Sequence, residues 1–135
     1  MAKATINLCA VVVVIFSFIS LVSANQDQQD CESSQTQLEL NACWSQLAGE
    51  IEGKVKTAYL EIVRALEQAG EKNALKLLKR AQRYWEQYRD VQCEGARQLY
   101  EGGSVAKTVE ATCRAKTGRN RIGDLDVTYS DRLQK

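Results

Sequence analysis

The chain has 135 residues, 18 basic and 17 acidic side chains, five cysteines, no histidine and no proline. Lacking histidine, it has no Ser-His nucleophile pair, no imidazole acid–base chemistry and none of the common histidine-bearing zinc sets. A net charge of +1 offers no basic field for nucleic acid, and the absence of proline leaves long helices uninterrupted.

Residues 1–24 read as a secretory signal peptide. Lys3 is a positive start, Leu8 to Ile19 is apolar, and Val22-Ser23-Ala24 supplies the small residues at which cleavage is expected. The apolar core is short of the roughly 20 residues that span a bilayer. Cys31 follows Gln28-Gln29-Asp30, which is not the small, apolar context of a lipid-attachment cysteine. The expected mature protein is residues 25–135, with no membrane attachment after cleavage, periplasmic or secreted. Its four cysteines, Cys31, Cys43, Cys93 and Cys113, form an even set in an exported chain and so predict two disulfides. A single domain of this size gains much from such staples.

Thr36-Gln37-Leu38-Glu39 is a capping-box pattern and predicts the start of a first helix. Leu40, Trp44, Leu47, Ile51, Val55, Ala58, Ile62, Leu66 and Ala69 then follow at intervals of three and four, one apolar stripe that Gly70 ends. Gly49 and Gly53 inside it are read as a close approach or a bend. A second helix is predicted from about Asn73, with the stripe Ala74, Leu78, Ala81, Trp85, Tyr88, Gln92, Ala96 and Leu99, and Gly102-Gly103 ends it. Ser104 is the predicted cap of a third helix carrying Val105, Val109 and Cys113, whose passage beyond Gly118 is left open; Val127 to Lys135 reads as a frayed polar tail. No segment has strand periodicity. The fold class is all-α, an antiparallel hairpin of two long helices with a shorter third helix packed back, its core about residues 31–125.

This layout pairs the cysteines. Cys93 and Cys113 are each ten residues from Gly103, so an antiparallel turn brings them opposite each other. Across the first turn Cys43 faces Tyr100, about 10 Å along the axis from Cys93 at 1.5 Å per residue, too far to bridge. Cys31, in the leader before the first helix, folds back to Cys43. The predicted bonds are Cys31–Cys43 and Cys93–Cys113.

Charge is segregated. Asn25 to Glu71 holds nine acidic and three basic residues, a net of −6, and residues 72–135 carry +6, with Lys72, Lys76, Lys79, Arg80 and Arg83 close together. Two helices of opposite sign attract each other across a hairpin. In the second helix, Gln82, Trp85, Arg89 and Cys93 descend one side, which predicts partial burial and a pairing of Arg89 with an acid such as Glu52. Glu86 and Asp90, one turn apart among Arg83, Arg89 and Glu94, are read as a surface ion-pair network rather than a catalytic carboxylate pair. No enzyme activity, cofactor or metal is expected.

Taken together, Cys31 and Cys43 with Thr36-Gln37-x-Glu39-x-Asn41, then Gln82-x-x-Trp85-x-x-Tyr88-Arg89-Asp90-x-x-Cys93, Gly102-Gly103-Ser104 and Cys113-x-x-x-Thr117-x-x-x-Arg121-x-x-x-Leu125 resemble the LprI-type lysozyme-inhibitor family. The resemblance implies a non-enzymatic exported protein that binds a protein partner, a peptidoglycan-cleaving lysozyme. In that reading Gln82, Trp85, Tyr88, Arg89 and Asp90 are family-motif residues with a structural role. The candidate partner-binding residues are Gly102, Gly103, Ser104 and Lys107, which offer amides, a hydroxyl and an ammonium to a cleft holding two carboxylates. The plainer reading of that turn is a helix stop followed by a cap. The alternative function is an envelope protein-interaction or immunity module with a partner other than lysozyme.

Overall fold

The computed structural model describes residues 31–133, so the predicted leader of residues 1–24 and its cleavage point lie outside the described residues. The chain divides into two compact units, one ending at Ser34 and the other running from Gln35 to the C-terminus. The described part of the first is a single turn in which the Ser34 amide donates to the Cys31 carbonyl (3.1 Å).

The second unit is three helices, α1 (Gln37–Gln68), α2 (Lys72–Gln98) and α3 (Ala106–Leu133). No strand occurs among the described residues. The start of α1 is as the capping box predicts. Thr36 Oγ1 accepts from the Glu39 amide (3.2 Å), and the Glu39 carboxylate accepts from the Thr36 and Gln35 amides (both 3.0 Å). Its end is set by Gly70, whose φ of 71° is the left-handed conformation that glycine adopts without a Cβ penalty. The Glu71 amide then reaches the Leu66 carbonyl (3.0 Å) and the Gly70 amide that of Glu67 (3.1 Å), a Schellman closure.

The α1 stripe is the core face. Trp44, Leu47, Ala48, Ile51, Val55, Ile62, Val63 and Leu66 are all buried. At the α1–α2 end, Ile62, Val63 and Leu66 pack with Leu78 of α2 and Leu125 of α3, flanked by Tyr59, Leu75 and Tyr129. Complete burial of side chains such as Ile62, Leu78 and Leu125 contributes about 1.5–3 kcal/mol each.

Helix α3 differs most from expectation. It is 28 residues long against 27 for α2, runs without a break through Gly118, and continues to Leu133, where a frayed tail is predicted. It starts at Ala106, one residue later than a Ser104 cap implies. It also packs along α1 more extensively than α2 does. Its buried positions explain why: Ala106, Ala111, Ala115 and Gly118 are small, and they let two backbones approach. A Cβ built on Gly118 would lie 2.6 Å from Cγ2 of Ile51. Gly118 is thus the contact point of α1 and α3, not a helix stop. Gly49 and Gly53, read from sequence as a close approach or a bend, have nothing within 4 Å of a built Cβ and so mark no close approach.

Both predicted disulfides are present. Cys93 and Cys113 link α2 to α3 with a Cα–Cα distance of 5.5 Å, and Cys31 and Cys43 are the other bonded pair.

Candidate partner-binding turn and the motif network

The motif residues of α2 fall on two sides. Gln82 and Cys93 are buried, Trp85 is half-buried, and the Arg89 side chain is 15% exposed. Tyr88, expected on the same buried stripe as Trp85, is 57% exposed, and Leu99 is 82% exposed. The face that α2 turns inward is therefore the line Leu78–Gln82–Trp85–Arg89–Cys93. Its apolar-looking companion, Tyr88–Gln92–Leu99, faces solvent.

Burying a polar line requires partners for each group, and the three helices supply them. The Gln82 side-chain carbonyl accepts from Arg121 Nε and Nη2 (3.2 and 3.1 Å), and its amide donates to Glu86 (3.1 Å). Arg121 and Arg89 both place their guanidinium carbons near the Trp85 ring, 5.8 and 5.1 Å from its centroid. Arg89 extends to Glu52 of α1 (3.4 Å), the pairing the sequence predicts, and donates to Asp90 from Nε and Nη2 (3.0 and 2.9 Å). From α3, Arg114 donates to Asp90 (2.8 Å) and Glu110 (3.1 Å) and lies 3.5 Å from Glu52. Arg97 grips Glu94 with two hydrogen bonds (2.9 and 2.6 Å) and reaches toward Glu110 (3.8 Å).

The electrostatics follow from this layout. Burial pushes the Asp90 carboxyl up, but hydrogen bonds and charge from Arg89 and Arg114 outweigh it and hold the group below its ordinary range. Hydrogen bonds from Arg97 and Gln98 pull Glu94 from 4.5 to about 2. Burial lowers the Arg114 pKa, yet Asp90 and Glu110 raise it on balance, so it stays cationic. Arg83, placed in this network by sequence proximity, is exposed and lies outside it. Arg114 and Glu110 were not singled out from sequence; their spacing of four on α3 is the signal that marks them.

The predicted partner-binding residues gather in the α2–α3 turn. Gly102, Gly103, Ser104 and Lys107 are all exposed. Gly102 has a φ of 80°, and the turn closes through the Gly103 amide on the Tyr100 carbonyl (3.0 Å) and the Ala106 amide on the Gly103 carbonyl (3.3 Å). A polar cluster braces it from α1. The Asn41 side-chain amide donates to the Ser104 carbonyl (3.1 Å), Gln37 donates to Thr108 (3.0 Å) and to Asn41 (3.1 Å), and the Thr108 hydroxyl donates to the Asn41 side-chain carbonyl. Cys93–Cys113 clamps the two helices that flank the turn. Behind it, between α1 and α3, a groove of about 450 Å³ is lined by Glu52, Lys107, Glu110 and Arg114 among others. Lys107 joins turn to groove. The bracing role of Gln37 and Thr108 was not read from sequence, although Gln37 and Asn41 are one turn apart on α1.

Among the described residues no group of His, Cys, Asp and Glu is arranged to hold a metal ion, and no helix is long and apolar enough to cross a membrane. Fold and site define a class: a disulfide-stapled three-helix scaffold whose motif residues join the helices, with one exposed, braced turn at an end. The chain belongs to the family described as "Lysozyme inhibitor LprI", whose model matches residues 28–125. It is similar to "Uncharacterized protein R02472" of Rhizobium meliloti (strain 1021), 32% identical over 112 residues that cover 76% of this chain and 81% of that protein. No solved structure matches it. Two disulfides accord with an oxidising compartment.

Proposed function

We propose that this protein is exported as residues 25–135 and inhibits a peptidoglycan-cleaving lysozyme by stoichiometric binding, without catalysis of its own. The observation that carries this reading is the match to the lysozyme-inhibitor family along residues 28–125. The geometry supports a contact through Gly102, Gly103, Ser104 and Lys107. An inhibitor gains affinity when its contact loop is ordered before binding, and this turn is braced by Asn41 and flanked by a disulfide. Its amides, hydroxyl and ammonium suit the two carboxylates of a glycosidase cleft, and the acidic α1 would steer a cationic enzyme.

The test is residual lytic activity of lysozymes of several structural types, each titrated with the oxidised protein. Activity of at least one type should fall to near zero at a molar ratio near unity, and Lys107→Ala with Ser104→Ala should weaken inhibition about tenfold or more, a loss of roughly 1.4 kcal/mol. Undiminished activity of every type removes the reading.

A further inference from the structure

The outer face of α2 takes no part in the interface network. Leu77, Ala81, Tyr84, Tyr88, Val91, Gly95 and Leu99 recur at steps of four and three, and all are exposed, Val91 at 75% and Leu99 at 82%. This stripe is about 33 Å long at 1.5 Å per residue. An apolar stripe of that length, heptad-spaced from Leu77 to Gly95, is what one side of a helix-pair seam presents.

We propose that this face binds a second copy of the chain, with the two α2 helices antiparallel about a two-fold axis through Tyr88. In that register the two ends of the stripe are self-complementary, and Val91 lies level with the partner's Trp85. Leu77 falls opposite the partner's Leu99, and Ala81 falls opposite the partner's Gly95, so large residues meet large and small meet small. Tyr84 falls opposite the partner's Gln92. That position lies in a hollow whose lining includes Tyr88, Val91, Gln92 and Gly95, residues at the spacing of a coiled-coil hole; Tyr84 of the same copy also lines it, and the partner's Tyr84 is the knob that fits it. Each copy offers both knob and hole, which a two-fold axis requires.

Charge selects the orientation. Residues 72–84 carry five basic side chains and no acid, whereas residues 85–101 carry four acids and two arginines. A parallel pair would set the two basic halves side by side. The antiparallel pair lays each basic half against the other copy's acidic half. In the same register Gly102, Gly103 and Ser104 of the candidate inhibitory turn lie level with the partner's Ala74, Asn73 and Lys72, at the end of the seam.

Sedimentation velocity of the oxidised full chain from micromolar to millimolar concentration tests the dimer. The expected result is a monomer–dimer equilibrium that weakens with salt. Tyr88→Glu, which puts two carboxylates on the axis, should leave only monomer with an unchanged melting temperature measured at low concentration. Geometry is tested with a short bis-maleimide on folded variants that keep both disulfides, replace Cys9 with serine and add one cysteine. Tyr88→Cys should link to itself, Leu77→Cys should not, and a mixture of Leu77→Cys with Leu99→Cys should link. A monomer at every concentration, whether the face is bare or covered by residues 1–30, overturns the proposal. So does self-linking of Leu77→Cys, which would mean a parallel pair.

Discussion

Replacing Arg89 with alanine tests whether the α2 motif is structural. Its guanidinium lies 5.1 Å from the Trp85 centroid, 3.4 Å from Glu52 on α1, and makes two hydrogen bonds to Asp90. The cation–π contact on a half-buried ring is worth about 1 kcal/mol. Partly exposed ion pairs add about 0.5–1 kcal/mol, and the packed aliphatic stem about 0.5 kcal/mol. Neither acid is orphaned, because Arg114 remains 2.8 Å from Asp90 and 3.5 Å from Glu52. The expected loss is therefore about 2 kcal/mol. At about 4–8 °C per kcal/mol for a domain near this size, the melting temperature should drop by roughly 10 °C. Arg89→Lys keeps the charge but not the flat fork, and should recover less than half. Calorimetry of the oxidised proteins, with lysozyme inhibition measured below the transition, is the assay. A melting temperature within about 2 °C of wild type together with lost inhibition would refute the reasoning and place Arg89 on a binding surface.

Gly118→Ala should destabilise by about 1–2 kcal/mol, because overpacking against Ile51 outweighs the helix propensity gained; Gly53→Ala, with open space around it, should stabilise by up to about 1 kcal/mol. Urea unfolding of the two variants should move the midpoint in opposite directions. Replacing both Cys93 and Cys113 by alanine opens a loop with a sequence separation of 20 and should cost about 3 kcal/mol in the same assay. Stability should be level from about pH 5 to 8, since no histidine titrates there. Asp90 and Glu94 have folded pKa values below their ordinary ones, so their contribution is present above the unfolded values. It is lost as pH falls, for Glu94 between 4.5 and about 2. Melting curves against pH should show that loss, and Glu94→Gln should make it shallower.

How much of this was legible in the sequence depended on the kind of residue that faces inward. In α1 the buried positions, Ala48 apart, are leucine, isoleucine, valine and tryptophan at helical spacing, so the stripe from Trp44 to Leu66 could be read directly. The α2–α3 staple was legible because Cys93 and Cys113 flank Gly103 symmetrically. In α2 the pattern misleads, since buried Gln82 and half-buried Arg89 are polar while exposed Tyr88 and Leu99 are apolar. Hydrophobic periodicity alone then selects the wrong face, and the descent of Gln82, Trp85, Arg89 and Cys93 was the correcting clue. In α3 the buried residues include Ala111, Ala115 and Gly118, whose small size rather than hydrophobicity lets the helix approach α1. Gly118, past which the sequence left the helix open, is there a contact. The bracing of Ser104 by Asn41 joins residues 63 apart and needs the third dimension to be seen.

The proposed contact is the α2–α3 turn, held by its staple and by Asn41. Amide hydrogen exchange of the oxidised protein, alone and with excess lysozyme, addresses this residue by residue. New protection is expected to be confined to Gly102 through Thr108 and the adjoining start of α1. Protection restricted to the outer face of α2, or no change with any lysozyme, would contradict it.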